Sequence, residues 1–399
     1  MQTDKPTLVK KEYSVPFILI TSLFFLWGFA RSILDVLNKH FQVSLNMSTT
    51  ESTLIQVSVY SAYFLLAVPA GLYIKKKGYR AGVVLGLLIF GLGALLIIPS
   101  DMMLSFGAIL VSLFVLACGL VFLETAANPY ASELGDPRTA ASRINLSQAF
   151  NGLGCILGPL IVGSILFSKD STISLAVPYA VMGVLVLVVA WIFSRSKLPE
   201  IKLDNDPNAG KSILGLWKHS RFCLGIVALF FYEVAEISIN SLFINYVTFD
   251  GWLDPEEATF ALSTGALVLF FVGRLLGSFV MSRFNAENVL SICAFMTVLF
   301  SALIIADLGI FSRLSLFAIY FFESIMFPTV FAISLNGLGS YTKRASSFLM
   351  MTPIGGAIGT FMMALVVDHV SMSAAFVVPM VGYSVVMVFA YLAMAKKLK

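Results

Sequence analysis

Long apolar runs recur from one end of the chain to the other, and nearly every one is about 20 residues long. An α-helix of that length crosses roughly 30 Å of hydrocarbon, because each residue adds about 1.5 Å. Twelve runs can be placed, approximately at 14–38, 51–74, 81–99, 103–128, 141–167, 175–194, 220–248, 259–281, 287–306, 314–338, 345–367 and 373–395. The pattern predicts an all-α polytopic membrane protein with 12 transmembrane helices.

The composition excludes an ordinary soluble domain. Charged residues make up 12% of the chain and hydrophobic residues 58%, whereas soluble domains carry about 25% charged residues. Residues 1–13 are polar and few, so we expect no cleavable signal peptide before the first span. The net charge of +4 gives no indication of a nucleic-acid partner. Membrane lipid is therefore the expected surrounding of the helices.

A polar interval at 196–219 divides the spans into two groups of six. We predict an N-terminal six-helix bundle at 1–195, a cytoplasmic linker at 196–219 and a C-terminal six-helix bundle at 220–399. Weak internal symmetry supports this division. A helix end that contains glycine and basic residues occurs at the same cytoplasmic joint of both halves, in GLYIKKKGYRAG after the second span and in GRLLGSFVMSRF near the end of the eighth. Gly154 and Gly158 in the fifth span predict close helix packing. We expect a monomer of two pseudo-symmetric bundles.

The basic residues indicate the orientation of the chain. Lysines and arginines concentrate in the two tails and in every second loop, including 75–80, 138–143 and 195–221. Outside the spans, the opposite side carries only Lys39 and Lys169 with Arg313. Such an excess is typical of cytoplasmic loops. The sequence therefore predicts a multi-pass protein of the bacterial inner membrane with both termini in the cytoplasm.

Polar side chains interrupt the apolar helices in the segments LETAANP and NLSQAFN. Glu124 and Asn128 lie four residues apart and share a helical face, while Asn145, Gln148 and Asn151 recur every three residues on another. A carboxylate inside a span is costly unless it meets water, a partner or a cargo. Amides both donate and accept hydrogen bonds, as a sugar hydroxyl requires. The two segments predict a cavity that binds a molecule rich in hydroxyls.

Structural alternatives remain open for these amides. Asn128 precedes Pro129, which can end or kink the helix, so its amide could cap the backbone there. Gln148 and Asn151 could bond to neighbouring helices with no ligand present. Asn145 lies nearer the cytoplasmic end, where a structural role is favoured.

Five segments resemble the fucose permease family of sugar–proton symporters, which has the major facilitator architecture. They are FLWGFARSILD, PAGLYIKKKGYRAG, LETAANPYASELG, RINLSQAFNGLG and SIMFPTVFAISLNGLG. The resemblance implies a secondary active transporter that imports a monosaccharide, L-fucose or a related hexose, with a proton by alternating access. It also implies that Asp35 and Glu124 couple the proton and that Gln148 and Asn151 bind the sugar. No cofactor is implied beyond the coupling ion, H⁺.

Charged residues of other spans make this site more polar than the resemblance alone suggests. Arg31 lies one turn before Asp35, so the two could form a structural ion pair. Glu233, Glu236 and Asn240 share one face of the seventh span. We predict that Arg31, Asn128, Glu236 and Asn240 also contact the sugar. Glu233 and Glu323 are weaker candidates, and salt bridges to Arg31 and Arg274 could instead gate the cavity.

Several alternatives stay open for the cargo and the class of protein. Glucose or galactose, an N-acetylhexosamine or an acidic sugar could replace fucose, and sodium could replace the proton. A membrane sugar sensor without transport is the alternative from another class. The sequence carries no GxxxxGK[ST] loop of a pump and no nucleophile–base pair or HExxH motif of an intramembrane enzyme. We therefore expect no enzyme and no metal site.

Overall fold

The computed structural model of the chain describes residues 9, 11–135, 140–167, 174–196, 213–281, 283–338 and 341–395. Within these residues it contains 12 helices long and apolar enough to cross a membrane. This result confirms the all-α fold with 12 spans. The first span is longer than predicted, because its helix continues past residue 38 to Ser44.

Sixteen α-helices make up the described spans, and four spans combine two of them. The helices are α1 (Ser14–Ser44), α2 (Thr49–Ser52), α3 (Leu54–Lys77), α4 (Tyr79–Met102), α5 (Phe106–Glu133), α6 (Ala140–Phe167), α7 (Ala176–Arg195), α8 (Ser220–Thr248), α9 (Pro255–Phe260), α10 (Leu267–Met281), α11 (Ala286–Ile305), α12 (Ile310–Glu323), α13 (Met326–Leu335), α14 (Thr342–Leu349), α15 (Ile354–His369) and α16 (Val377–Met394). A π-helical turn, Ala261–Ala266, joins α9 to α10 within one span.

The chain forms two compact units. Unit 1 comprises Met1–Ile33 and Leu65–Asp204, and unit 2 comprises Leu34–Phe64 and Asn205–Lys399. The second part of α1 and the first part of α3 therefore pack with the C-terminal helices. The division at 196–219 predicted from the order of spans remains a prediction, since residues 197–212 lie outside those described.

Glycines allow the helices of unit 1 to approach closely. A Cβ atom added to Gly119 in α5 would lie 2.3 Å from the backbone nitrogen of Phe90 in α4. One added to Gly154 in α6 would lie 2.3 Å from the carbonyl oxygen of Phe25 in α1. Any larger residue at these crossings would have to push the helices apart. Helix α6 is thus held against the first part of α1, as its glycine pattern indicated.

The joint between α5 and α6 differs from the sequence-based expectation. Helix α5 continues past Pro129 to Glu133, so this proline does not end it. Arg143, predicted as a loop charge, is fully buried, and its Nε donates to the carbonyl oxygen of Ala131 at 3.1 Å. A guanidinium is stabilised there because the last carbonyls of a helix carry partial negative charge. The side chain of Asn145 lies outside the described residues.

The tenth span, predicted to be continuous, is interrupted in unit 2. Helix α12 ends at Glu323 and α13 begins at Met326. Pro328 has no N–H, so the carbonyl oxygen of Ser324 lacks its intrahelical donor. The Nε of Arg274 in α10 donates to this oxygen at 3.2 Å instead. Membrane helices tolerate proline where a neighbouring helix satisfies the freed carbonyl in this way.

Candidate functional site

Asn151 of α6 lies directly against α1 in unit 1. Its Nδ2 donates to the carbonyl oxygen of Phe24 at 3.0 Å, and its Oδ1 accepts a weak hydrogen bond from Cys155 at 3.8 Å. The approach requires Gly28, because an added Cβ there would lie 2.4 Å from the Asn151 carbonyl oxygen. The indole of Trp27 packs on Phe24 with ring centroids 4.2 Å apart. Asn151 therefore makes a hydrogen bond to a neighbouring helix with no ligand present, which is the structural alternative given above. Its role in sugar binding remains a prediction.

The other polar residues of α5 and α6 differ in their hydrogen bonds. The Nδ2 of Asn128 donates to the carbonyl oxygen of Glu124, one turn earlier, at 3.1 Å. Glu124 and Gln148 are both half-buried within their spans. Among the described residues, the Gln148 amide has no hydrogen-bond partner. Among the amide side chains that the structure describes in unit 1, Gln148 therefore keeps its donors and acceptor available for a ligand.

The first span contributes polar residues to both units. Half-buried Arg31 belongs to unit 1, whereas half-buried Asp35 belongs to unit 2. The Oγ of Ser241 in α8 donates to Asp35 Oδ1 at 3.4 Å. One turn further along α1, Asn38 Nδ2 donates to the Ser241 carbonyl oxygen at 3.1 Å. The role of Asp35 together with the polar residues of the N-terminal half stays a prediction.

Several polar side chains of unit 2 meet at the break in the tenth span. Glu323 is fully buried at the end of α12, and the hydroxyl of Tyr383 in α16 donates to its Oε2. The hydroxyl of Tyr232 in α8 donates to the Glu323 carbonyl oxygen at 3.5 Å, and Arg274 of α10 donates to that of Ser324. These side chains form a polar cluster. Glu236 and Asn240 lie further along α8 and are half-buried, the Asn240 Oδ1 has no hydrogen-bond partner among the described residues, and their role in sugar binding stays a prediction.

Tyrosines of this cluster were not identified from the sequence. Tyr232, Tyr320 and Tyr383 are almost completely buried. Tyr383 and Tyr232 donate to Glu323, whereas the Tyr320 hydroxyl has no hydrogen-bond partner among the described residues. The sequence signal was weak, because apolar spans contain many aromatic residues. Only the fold shows which of them meet a carboxylate.

An apolar groove of about 520 Å³ lies elsewhere in unit 2, between α11 and α16. It is lined by Ser291, Ile292, Phe295, Met387, Val388 and Tyr391. Its walls carry no carboxylate, amide or basic group, so it offers little to a sugar. The polar cluster, rather than this groove, is the candidate site of unit 2.

The chain is similar to known proteins in both sequence and structure. The sequence model that describes the Major Facilitator Superfamily as a protein family matches residues 20–351 of this chain. The glucose/galactose transporter of Brucella abortus (strain 9-941) is 34% identical, over 95% of this chain and 94% of that protein. The L-fucose-proton symporter of Escherichia coli (strain K12) is 32% identical, over 97% of this chain and 95% of that protein. The crystal structure of the transporter FucP in the outward conformation matches with a TM-score of 0.73 and 32% identity, over 96% of this chain and 99% of that chain.

Proposed function

Because the chain belongs to the major facilitator superfamily, we propose that it imports a hexose together with a proton by alternating access. Two relatives that align with nearly the whole chain are named as sugar transporters. One observation carries the proposal at the level of residues. Glu124 and Gln148 are half-buried inside membrane-spanning helices, where a carboxylate and an amide are costly unless they meet water, a partner or a cargo.

The proposed roles follow the chemistry of the side chains. Asp35 and Glu124 exchange the proton, because carboxyl groups can be loaded and emptied without a cofactor. The sugar hydroxyls bond to amides, carboxylates and a guanidinium, which together supply donors and acceptors. The proposed sugar contacts are Arg31, Asn128, Gln148 and Asn151 in unit 1 and Glu236 and Asn240 in unit 2.

Coupling requires that sugar and proton favour the same state of the protein. A ligand shifts a conformational equilibrium only by its difference in affinity between the states. Proton binding to Asp35 or Glu124 removes a negative charge from a membrane span, and sugar binding satisfies the amides that bond to the sugar. When both favour the occluded form, neither crosses efficiently alone. The helices then move so that a site near the membrane midplane opens alternately to the two sides of the membrane.

The named relatives leave the sugar open between two kinds of hexose. The Brucella protein is named for glucose and galactose, and the Escherichia protein for L-fucose. Arg31 favours an acidic sugar as a further candidate, because a guanidinium binds carboxylates well. We further propose a monomer in the bacterial inner membrane with both termini in the cytoplasm. Its basic residues concentrate on the side that holds the termini.

Uptake by proteoliposomes tests the proposal. Labelled glucose, galactose, L-fucose, N-acetylglucosamine and glucuronate are offered separately, with either a pH gradient or a sodium gradient imposed. We expect at least one hexose to accumulate under the pH gradient and to equilibrate without accumulation when the gradient is collapsed. Accumulation driven by sodium alone would replace the proton as the coupling ion. Sugar binding without any flux would favour the sensor and contradict transport.

A further inference from the structure

Glu323 presents one carboxyl oxygen that nothing in its surroundings satisfies. The residue is fully buried, and Tyr383 donates its hydroxyl to Oε2. Among the described residues, Oε1 has no hydrogen-bond partner, although it is buried as well. An ionised carboxylate can accept about four hydrogen bonds, so the surroundings supply much less than the anion needs. A protonated carboxyl group needs fewer partners.

A second tyrosine contacts the same residue but does not satisfy the free carboxyl oxygen. The hydroxyl of Tyr232 donates to the backbone carbonyl oxygen of Glu323 at 3.5 Å. Burial disfavours the anion, because an ionised carboxylate loses its hydration there and is costly unless it is paired and hydrogen-bonded.

Arg274 does not neutralise Glu323 in this conformation. Its Nε donates to the carbonyl oxygen of Ser324, which Pro328 leaves without an intrahelical donor, and its guanidinium lies 4.7 Å from the ring centre of Phe270. Within the described residues, Arg274 forms no ion pair with Glu236 or Glu323. The positive charge lies nearby but is engaged with the backbone.

We propose that Glu323 is a further proton-binding site of the transporter, loaded in this conformation and emptied during the cycle. When the proton leaves for water, the O–H bond of the carboxyl group breaks and its electron pair stays on the oxygen. Arg274 then gives up its hydrogen bond to the Ser324 carbonyl oxygen and pairs with the new carboxylate. The release step rests on the proposed function, whereas the bound proton does not.

Infrared spectroscopy of the reconstituted protein tests the bound proton without any sugar. At neutral pH we expect the wild type to show a protonated-carboxyl band that Glu323→Gln lacks. Glu256→Gln, which removes an exposed carboxylate, should keep the band. Tyr383→Phe should keep it at a shifted frequency, because the hydrogen bond to Oε2 is lost. An unchanged spectrum in Glu323→Gln would overturn the proposal, as would an unshifted band in Tyr383→Phe.

Thermal unfolding provides a second readout. If Glu323 is neutral, Glu323→Gln replaces one uncharged group by another of the same shape, and the melting temperature should stay close to that of the wild type. If Glu323 were ionised, the substitution would remove an uncompensated buried charge and raise the melting temperature markedly. The second result would contradict the bound proton.

Sugar accumulation tests the release of the proton. Each coupled proton raises the limiting accumulation ratio about tenfold per pH unit of gradient. If Glu323 releases its proton in each cycle, Glu323→Gln should lower this ratio about tenfold at one pH unit. An unchanged ratio would overturn the release step. Failure of the wild type to take up any sugar would overturn the proposed function, while the infrared result would still decide the proton site.

Discussion

At the scale of single residues, a substitution of Glu124 should separate the accumulation of sugar from the exchange of sugar across the membrane. Glu124→Gln keeps the shape and hydrogen-bonding capacity of the side chain but cannot release a proton. We expect this variant to lose accumulation driven by a pH gradient and to retain sugar counterflow between equilibrated vesicle compartments. Both are measured with labelled sugar in proteoliposomes. Accumulation at the wild-type level in Glu124→Gln would remove this residue from the coupling mechanism.

Asn151 and Asn128 form a matched pair, because both donate to backbone carbonyls. Asn151 donates across to Phe24 in α1, whereas Asn128 donates to Glu124 in its own helix. Hydrogen bonds between membrane helices contribute about 0.6 kcal/mol on average. We expect Asn151→Ala to lower the melting temperature slightly and to weaken sugar binding. Asn128→Ala should weaken binding with no loss of stability.

The outcome of this comparison assigns the role of each amide. Sugar affinity is measured by calorimetry or by counterflow at several sugar concentrations. If Asn151→Ala is less stable but binds the sugar as the wild type does, Asn151 is a packing residue only. If Asn128→Ala binds normally, that position leaves the proposed sugar site.

At the scale of helices, the crossing of α1 and α6 depends on Gly154. A Cβ atom added at this position would lie 2.3 Å from the carbonyl oxygen of Phe25. Gly154→Ala should therefore force the two helices apart, at a cost of about 1–3 kcal/mol of stability. Gly107 in α5 is the matched control, because an added Cβ there meets nothing within 4 Å.

Thermal unfolding of the two glycine variants in detergent measures this difference. Gly107→Ala should be neutral or slightly stabilising, since alanine favours the helix by about 0.5–1 kcal/mol over glycine. Equal melting temperatures for Gly154→Ala and the wild type would show that α6 does not depend on this contact. The account of how Asn151 reaches α1 would then be wrong.

The helices themselves could be predicted from the sequence, but their irregularities could not. Long apolar runs determine membrane spans almost by length alone. The interruption after Glu323 has a visible cause in Pro328, yet proline is common in continuous membrane helices. Whether it breaks the helix depends on Arg274 from α10, which satisfies the freed carbonyl. That partner lies 50 residues away in sequence, so no local pattern indicates it.

The same limit applies to the candidate site. The four-residue spacing of Glu236 and Asn240 predicts that they share one face of a helix, because helical periodicity depends only on residues close in sequence. The contact between Asp35 and Ser241 joins residues 206 apart, and that between Glu323 and Tyr383 joins residues 60 apart. Such pairs follow from the packing of distant spans. The sequence could indicate which residues were chemically unusual, but it could not indicate which of them meet.

At the scale of the whole molecule, the basic residues predict the orientation in the membrane. Lys76 lies in the exposed last turn of α3, and Glu256 lies in the exposed first turn of α9. In a background without the four native cysteines, we expect an impermeant thiol reagent to label Glu256→Cys on intact cells. Lys76→Cys should react only after the cells are permeabilised. The opposite labelling pattern would invert the topology.

The central claim is that sugar and proton cross together. A direct measurement is the external pH of a weakly buffered vesicle suspension when sugar is added with no gradient imposed. A transported hexose should make the medium more alkaline, because each sugar carries a proton inward, and Glu124→Gln should abolish the change. Entry of the sugar with no pH change in the wild type would contradict proton symport.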